Sequence, residues 1–269
     1  MSLHFLKELL AMNDNINRLR IQDLVNNPTP RLPVVLCLDT SFSMGAVEDD
    51  GTLKDTGETI FQDGRTWNLV TGGTTRISEL QKGIQLFYDA IREDEVAQFS
   101  AEVCIITFDS NVKCLEDFAT IDRQPSLPEL KPFGDTYMGE GVNLALDLLE
   151  KRKNEYKDKG VDYFQPWLVL MTDGEANGNG SELMRAISRT TEMINNKKLT
   201  IFPIGIGAEA GMETLAKFSP KRRPLRLRGL KFKEFFEWLS DSVSRTSQSM
   251  PGENVKLNTD AISDWGTLD

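Results

Sequence analysis

The stretch best suited to chemistry is Leu38-Asp39-Thr40-Ser41-Phe42-Ser43-Met44, which closes the apolar run 33–38. Such a run reads as a strand, and in an open α/β sheet ligands bind beyond the carboxyl ends of the strands. A D-x-S-x-S loop at that place aims one carboxylate, Asp39, and two hydroxyls, Ser41 and Ser43, at a single point. All three are hard oxygen donors. They suit magnesium, which takes octahedral oxygen coordination at roughly 2.1 Å and retains waters. Two later stretches add oxygens: Gly134-Asp135-Thr136-Tyr137-Met138-Gly139 offers Thr136, and Met171-Thr172-Asp173-Gly174-Glu175 offers Asp173. Hydroxyls capping the helix that follows would explain one serine. They would not explain Ser41, Ser43, Thr136 and Asp173 together.

Positioning these residues requires strands that end side by side. Four apolar runs, 33–38, 103–108, 167–171 and 200–206, are unbroken in the way of parallel strands covered on both faces. Between them lie helical stripes: Ile77, Leu80, Ile84, Phe87 and Ile91; Val142, Ala145, Leu146 and Leu149; Leu183, Ala186, Ile187 and Ile194; and Phe232, Phe235, Phe236, Leu239 and Val243. The alternation predicts a doubly wound, mostly parallel α/β sheet. One pair departs from it. Runs 103–108 and 112–118 are separated only by Asp109-Ser110-Asn111, too short for a crossover, which predicts one antiparallel strand at the sheet edge. Pro203 cannot donate a ladder hydrogen bond and implies a bulge or an unpaired strand side. The chain divides into an amphipathic extension over 1–30, ending at Pro28-Thr29-Pro30, a core domain over 31–247, and an acidic tail over 248–269, expected to be loosely ordered around Trp265. Residues 46–74 form a polar insertion in which Asp63-Gly64 predicts a β-hairpin.

Composition narrows the function. The 269 residues carry 31 Lys and Arg against 41 Asp and Glu, a net charge of -10, which argues against bulk attraction to nucleic acid or an anionic membrane. Cys37, Cys104 and Cys114 lack metal or redox spacing and read as reduced thiols. With no signal-type start and no apolar stretch long enough to span a bilayer, the expectation is a cytoplasmic protein with no membrane partner. The one histidine, His4, lies in the extension, so a Ser-His-Asp arrangement is excluded, and no G-x-x-x-x-G-K-[ST] loop is present. Were Asp39 a phosphatase nucleophile, the residue two positions on would be an acid; it is Ser41. The reading is therefore not an enzyme. The basic run Lys221-Arg222-Arg223-Pro224-Leu225-Arg226-Leu227-Arg228 alternates like an edge strand and lacks the interleaved aromatics of a nucleic-acid platform.

The loop Asp39-x-Ser41-x-Ser43, then Thr136, then Asp173 resembles the metal-ion-dependent adhesion site of von Willebrand factor A domains, and the resemblance runs over about residues 32–245. It implies that Ser41, Ser43 and Thr136 touch a Mg2+ ion, with Mn2+ or Ca2+ as substitutes, and that Asp39 and Asp173 act through water and hydrogen bonds. It also implies that an Asp or Glu of a protein partner completes the coordination. Two carboxylates leave a divalent ion near neutral, so an incoming carboxylate still feels attraction. Two departures stand out: Phe42 and Asp135 occupy places where many members have Gly, and Asp135 would add a third acid beside the metal. The segments 165–175, 202–207, 235–240 and 249–252 further resemble the TerY-like bacterial tellurite-resistance group. That likeness implies a chemical-stress system and an assembly containing a kinase and a phosphatase.

Overall fold

A computed structural model describes residues 24, 26–49, 51–62, 65–124, 126–258 and 262–268. Nearly all of the expected N-terminal extension, and the Asp63-Gly64 turn, lie outside the described residues.

In chain order the elements are β1 (Leu32–Asp39), β2 (Val47–Glu48), β3 (Lys54–Gln62), β4 (Arg65–Thr71), β5 (Thr74–Thr75), α1 (Arg76–Glu93), β6 (Ala101–Phe108), β7 (Val112–Thr120) and α2 (Met138–Lys159). They continue with β8 (Trp167–Thr172), α3 (Gly180–Asn195), β9 (Thr200–Ile206), α4 (Met212–Phe218), β10 (Leu225–Leu227), α5 (Phe232–Ser247) and β11 (Gly266–Leu268). Seven strands form one sheet in the order β11-β10-β9-β8-β1-β6-β7. β1, β6, β8, β9 and β10 run parallel, and β7 is the antiparallel edge that the short 109–111 turn requires.

Both faces of β1 are buried, which is why its sequence is unbroken in hydrophobicity. Leu32, Val34, Leu36 and Leu38 point into a layer that includes the stripes of α1 and α5. Val35 and Cys37 point the other way, towards Val142, Ala145, Leu146 and Leu149 of α2 and Ala186 of α3. The α1–α5 contact is close enough that a Cβ at Gly83 would lie 2.5 Å from Phe236 Cδ2. Pro203 costs the sheet no ladder bond. Thr200 turns its N–H to Pro166, just before β8 (2.8 Å), so Pro203, three residues on, turns its nitrogen to the β10 side. β10 begins to pair only at Ile204.

The sheet corrects two expectations. There are two antiparallel edges rather than one, because β11 pairs antiparallel with β10. The basic run therefore supplies an internal strand whose Leu225 and Leu227 are buried. The end of the acidic tail is likewise not loose: a turn of helix at Ile262–Trp265 leads into β11, and Trp265 packs 5.9 Å from the Phe235 ring and 6.0 Å from the Trp238 ring. Burial of that indole anchors the tail.

The insertion forms the predicted hairpin, β3 against β4, with a register shift between Asp55 and Thr59. Its base is a two-residue clasp in which Val47 and Glu48 pair with Thr75 and Thr74. At the amino-terminal edge of the sheet, buried Glu102 accepts hydrogen bonds from Arg31 Nε (3.0 Å), Arg152 Nε (2.7 Å) and Nη2 (2.8 Å), and the Tyr156 hydroxyl (2.6 Å). Among the described residues no helix is long and apolar enough to cross a membrane.

Candidate metal centre

β1 lies between β6 and β8, so the chain leaves it at the middle of the carboxyl edge. Asp39, its last residue, is wholly buried. Its Oδ1 accepts the Ser41 N–H at 2.7 Å, which bends the chain, and its Oδ2 accepts the hydroxyl of Thr172, the last residue of β8, at 2.5 Å. The neighbouring strand ends are thereby locked together. Ser41 precedes a 3-10 turn, Phe42–Gly45, yet its side chain makes no capping bond to it. Instead the Ser41 and Ser43 oxygens lie 3.1 Å apart, and Ser43 donates to Asp173 Oδ1 at 2.7 Å. Asp39, Ser41, Ser43 and Asp173 thus meet in one cluster, in which Ser43 is exposed and the other three are buried.

Thr136 arrives on an adjoining loop stitched to the Asp39 turn by two backbone bonds, Phe42 N–H to Gly134 (3.0 Å) and Phe133 N–H to Thr40 (2.8 Å). Gly134 has φ +62, a conformation that suits glycine, and a Cβ there would meet Ser110 Oγ at 2.3 Å. Thr136 is buried, its N–H donates to Asn177 Oδ1 (2.6 Å), and a Cβ built on Gly174 would lie 4.0 Å from its hydroxyl oxygen. Its side chain therefore faces the residue after Asp173. Among the described residues no hydrogen bond joins Thr136 directly to the other four. Asp135 corrects the expectation of a third acid in the cluster: its N–H donates to Ser110 Oγ at 2.9 Å, and its carboxylate accepts from that hydroxyl at 3.4 Å.

Burial pushes the Asp39 carboxyl up to about 6; the bonds from Ser41 and Thr172 hold it down, and the charge of Asp173 adds to the rise. Asp173 has a cationic partner, Arg76, whose Nη1 lies 2.8 Å from Oδ2. Arg76 also pairs with Glu48, 2.6 Å from Nη2. Burial would lower the Arg76 guanidinium, but the two carboxylates outweigh it and raise it. Among the described residues no three or more His, Cys, Asp or Glu side chains gather into a metal-binding group. The donors converging here are carboxylates mixed with hydroxyls.

No family model and no curated protein matches the chain. Solved structures do. A von Willebrand factor type A protein from Catenulispora acidiphila superposes with a TM-score of 0.52 at 14% identity, covering 81% of this chain and 43% of that one. The fold is that of von Willebrand factor A domains. The PilB minor pilin from Streptococcus sanguinis matches at TM-score 0.52 and 13% identity, over 80% of this chain and 62% of the pilin. This chain thus spans less than two thirds of either relative's length.

Within this von Willebrand factor A fold, several site residues escaped the sequence reading. Thr172 holds Asp39 from β8. Asp109, which follows β6, is buried and accepts from Thr40 Oγ1 (3.1 Å) and from the Asn111 N–H (2.6 Å). A signal for Asp109 was present, since the three adjacent strands β6, β1 and β8 each close on an aspartate: Asp109, Asp39 and Asp173. Arg76 carried a fainter one. A cation at the first residue of a helix opposes the helix dipole, so carboxylates must stand opposite it.

Proposed function

We propose that this edge holds a divalent cation, Mg2+ by preference, and uses it to bind a protein partner through an Asp or Glu of that partner. Ser41, Ser43 and Thr136 would hold the ion, with Asp39 and Asp173 acting through water and hydrogen bonds. When bound, the ion supplies a fixed positive charge for the incoming carboxylate. The observation that carries the reading is the pairing of Ser43 with Asp173. Because the hydroxyl proton is given to Oδ1, Ser43 keeps a lone pair for a cation even where it accepts from the Ser41 hydroxyl. Hydroxyls and carboxylates are hard oxygen donors of the kind that suit magnesium.

A binding role is favoured over phosphate chemistry because Asp39 is wholly buried with both oxygens engaged, which leaves neither free to attack phosphorus. Placement in a chemical-stress system with a kinase and a phosphatase rests on the sequence resemblance alone. The test is calorimetric titration of the metal-free chain with magnesium chloride, beside a Ser41→Ala and Ser43→Ala double variant. Saturable binding in the parent and its loss in the variant are expected, as is chelator-sensitive capture of a partner by the parent only. Equal titration curves for the two proteins would refute the assignment.

A further inference from the structure

Arg76 stands where the insertion rejoins the core. It is the first residue of α1, directly after β5, and its N–H donates to Ala46, just before β2, at 3.3 Å. Its guanidinium spans two carboxylates. Nη1 holds Asp173 Oδ2 at 2.8 Å, while Nε and Nη2 hold Glu48 Oε1 at 2.8 and 2.6 Å. A Cβ at Gly207, beyond the end of β9, would lie 3.6 Å from Nη2, so the group is packed over a third strand end. Exposure falls from 39% at the Glu48 side chain to 15% at Arg76 and 0% at Asp173. The chain of charges therefore runs from the surface clasp of the hairpin into the centre of the candidate site. Asp173 is divided along the same line, with Oδ1 towards the serine hydroxyls and Oδ2 towards the insertion.

We propose that Arg76 is a positioning residue that couples cation occupancy at Asp173 to the hairpin insertion over residues 46–74. This rests on the cation reading above. A divalent ion and a guanidinium compete for the charge of one buried carboxylate and repel each other across it. Loading the site weakens the hold of Arg76 on Asp173, and the clasp of Glu48 with Thr74 loses its tether to the core. Coupling of this kind is reciprocal: the ion weakens the tether by the same factor by which the tether weakens the affinity for the ion, so removing the tether tightens binding. The insertion is thereby part of the partner-selecting face, and its freedom reports whether the ion is present.

The experiment is amide hydrogen exchange of the whole chain, with and without magnesium chloride, paired with calorimetry. In the parent, magnesium should speed exchange at residues 47–48 and 74–75 by roughly 5- to 10-fold. In Arg76→Met the same amides should exchange fast under both conditions, and magnesium should bind tighter by a similar factor. Glu48→Gln cuts the outer end of the tether at a half-exposed position. It should also abolish the response to magnesium, which keeps the test open if Arg76→Met fails to fold. Parent chain that binds magnesium with unchanged or slowed exchange at the clasp overturns the coupling alone, as does Arg76→Met that still responds. Parent chain that binds no magnesium overturns the cation reading, and the coupling falls with it.

Discussion

Replacing Asp39 by Asn should stabilise the metal-free protein while abolishing its response to magnesium. In the parent the carboxyl is raised by burial from 3.8 to about 6, which corresponds to about 3 kcal/mol spent on keeping it ionised in the fold. The sign follows from the two values. Below pH ~4 the group is protonated in both folded and unfolded chains and costs nothing. Between pH ~4 and ~6 the unfolded chain releases its proton first, so the parent loses stability as pH rises, and above ~6 the cost is complete. Asn has no charge to bury and can keep the local bonds. Its oxygen still accepts the Ser41 N–H, and its amide donates to Thr172 Oγ1. The Thr172 proton then turns to the Gly174 carbonyl, which already lies 3.3 Å away. Urea unfolding in chelator should therefore give equal stabilities near pH 4, and a variant more stable by up to about 3 kcal/mol at pH 8. Magnesium at a hundred times its dissociation constant should add about 2.7 kcal/mol to the parent and nothing to the variant. A variant less stable than the parent at pH 8 in chelator would refute the electrostatic argument. A variant that gains as much from magnesium would refute the role of Asp39.

Two further outcomes test the frame that carries the site. Glu102→Ala leaves the guanidiniums of Arg31 and Arg152 buried without the carboxylate they share, and should cost 3–5 kcal/mol or more by urea unfolding, about what removing one partner of a buried ion pair costs. Wild-type stability in that variant would show that the cluster contributes no net energy. Trp265→Ala should destabilise by about 3–5 kcal/mol, the usual cost of truncating a buried aromatic, and should raise exchange at residues 225–227 beside β11; unchanged melting would mean that the tail docks without contributing to stability.

The central strands were legible because burial on both faces leaves an unbroken apolar run, and the helices because one buried face repeats at helical spacing. Asp39, Ser41 and Ser43 were legible as a unit because a turn at a strand end keeps their spacing local. Asp173 was found as an oxygen donor beyond a strand end, a property of topology that alternating elements reveal, and Thr136 as a hydroxyl on the loop entering a helix. What was hidden depends on contacts across the fold. β11 is three residues long, with Trp265 as the one aromatic in a polar tail. Asp135 looks like a site acid in sequence, yet the positive φ of Gly134 turns the loop so that its carboxylate meets Ser110. Glu48 and Arg76 are 28 residues apart and become neighbours only when the hairpin folds back on itself.

The three aspartates of the carboxyl edge are treated differently by the fold, and the differences argue for function. Asp109 is satisfied locally, by Thr40 and by the N–H of its own turn. Asp173 is compensated by a guanidinium. Asp39, in the centre and the most deeply enclosed, receives hydrogen bonds from Ser41 and Thr172 and, among the described residues, no cation, and burial raises its carboxyl. Packing alone would be served as well by Asn, which can bond the same two partners, with the Thr172 bond reversed, and carries no charge. A buried carboxylate kept where Asn would cost less, beside the Ser41 and Ser43 hydroxyls, is the feature that the proposed cation would explain.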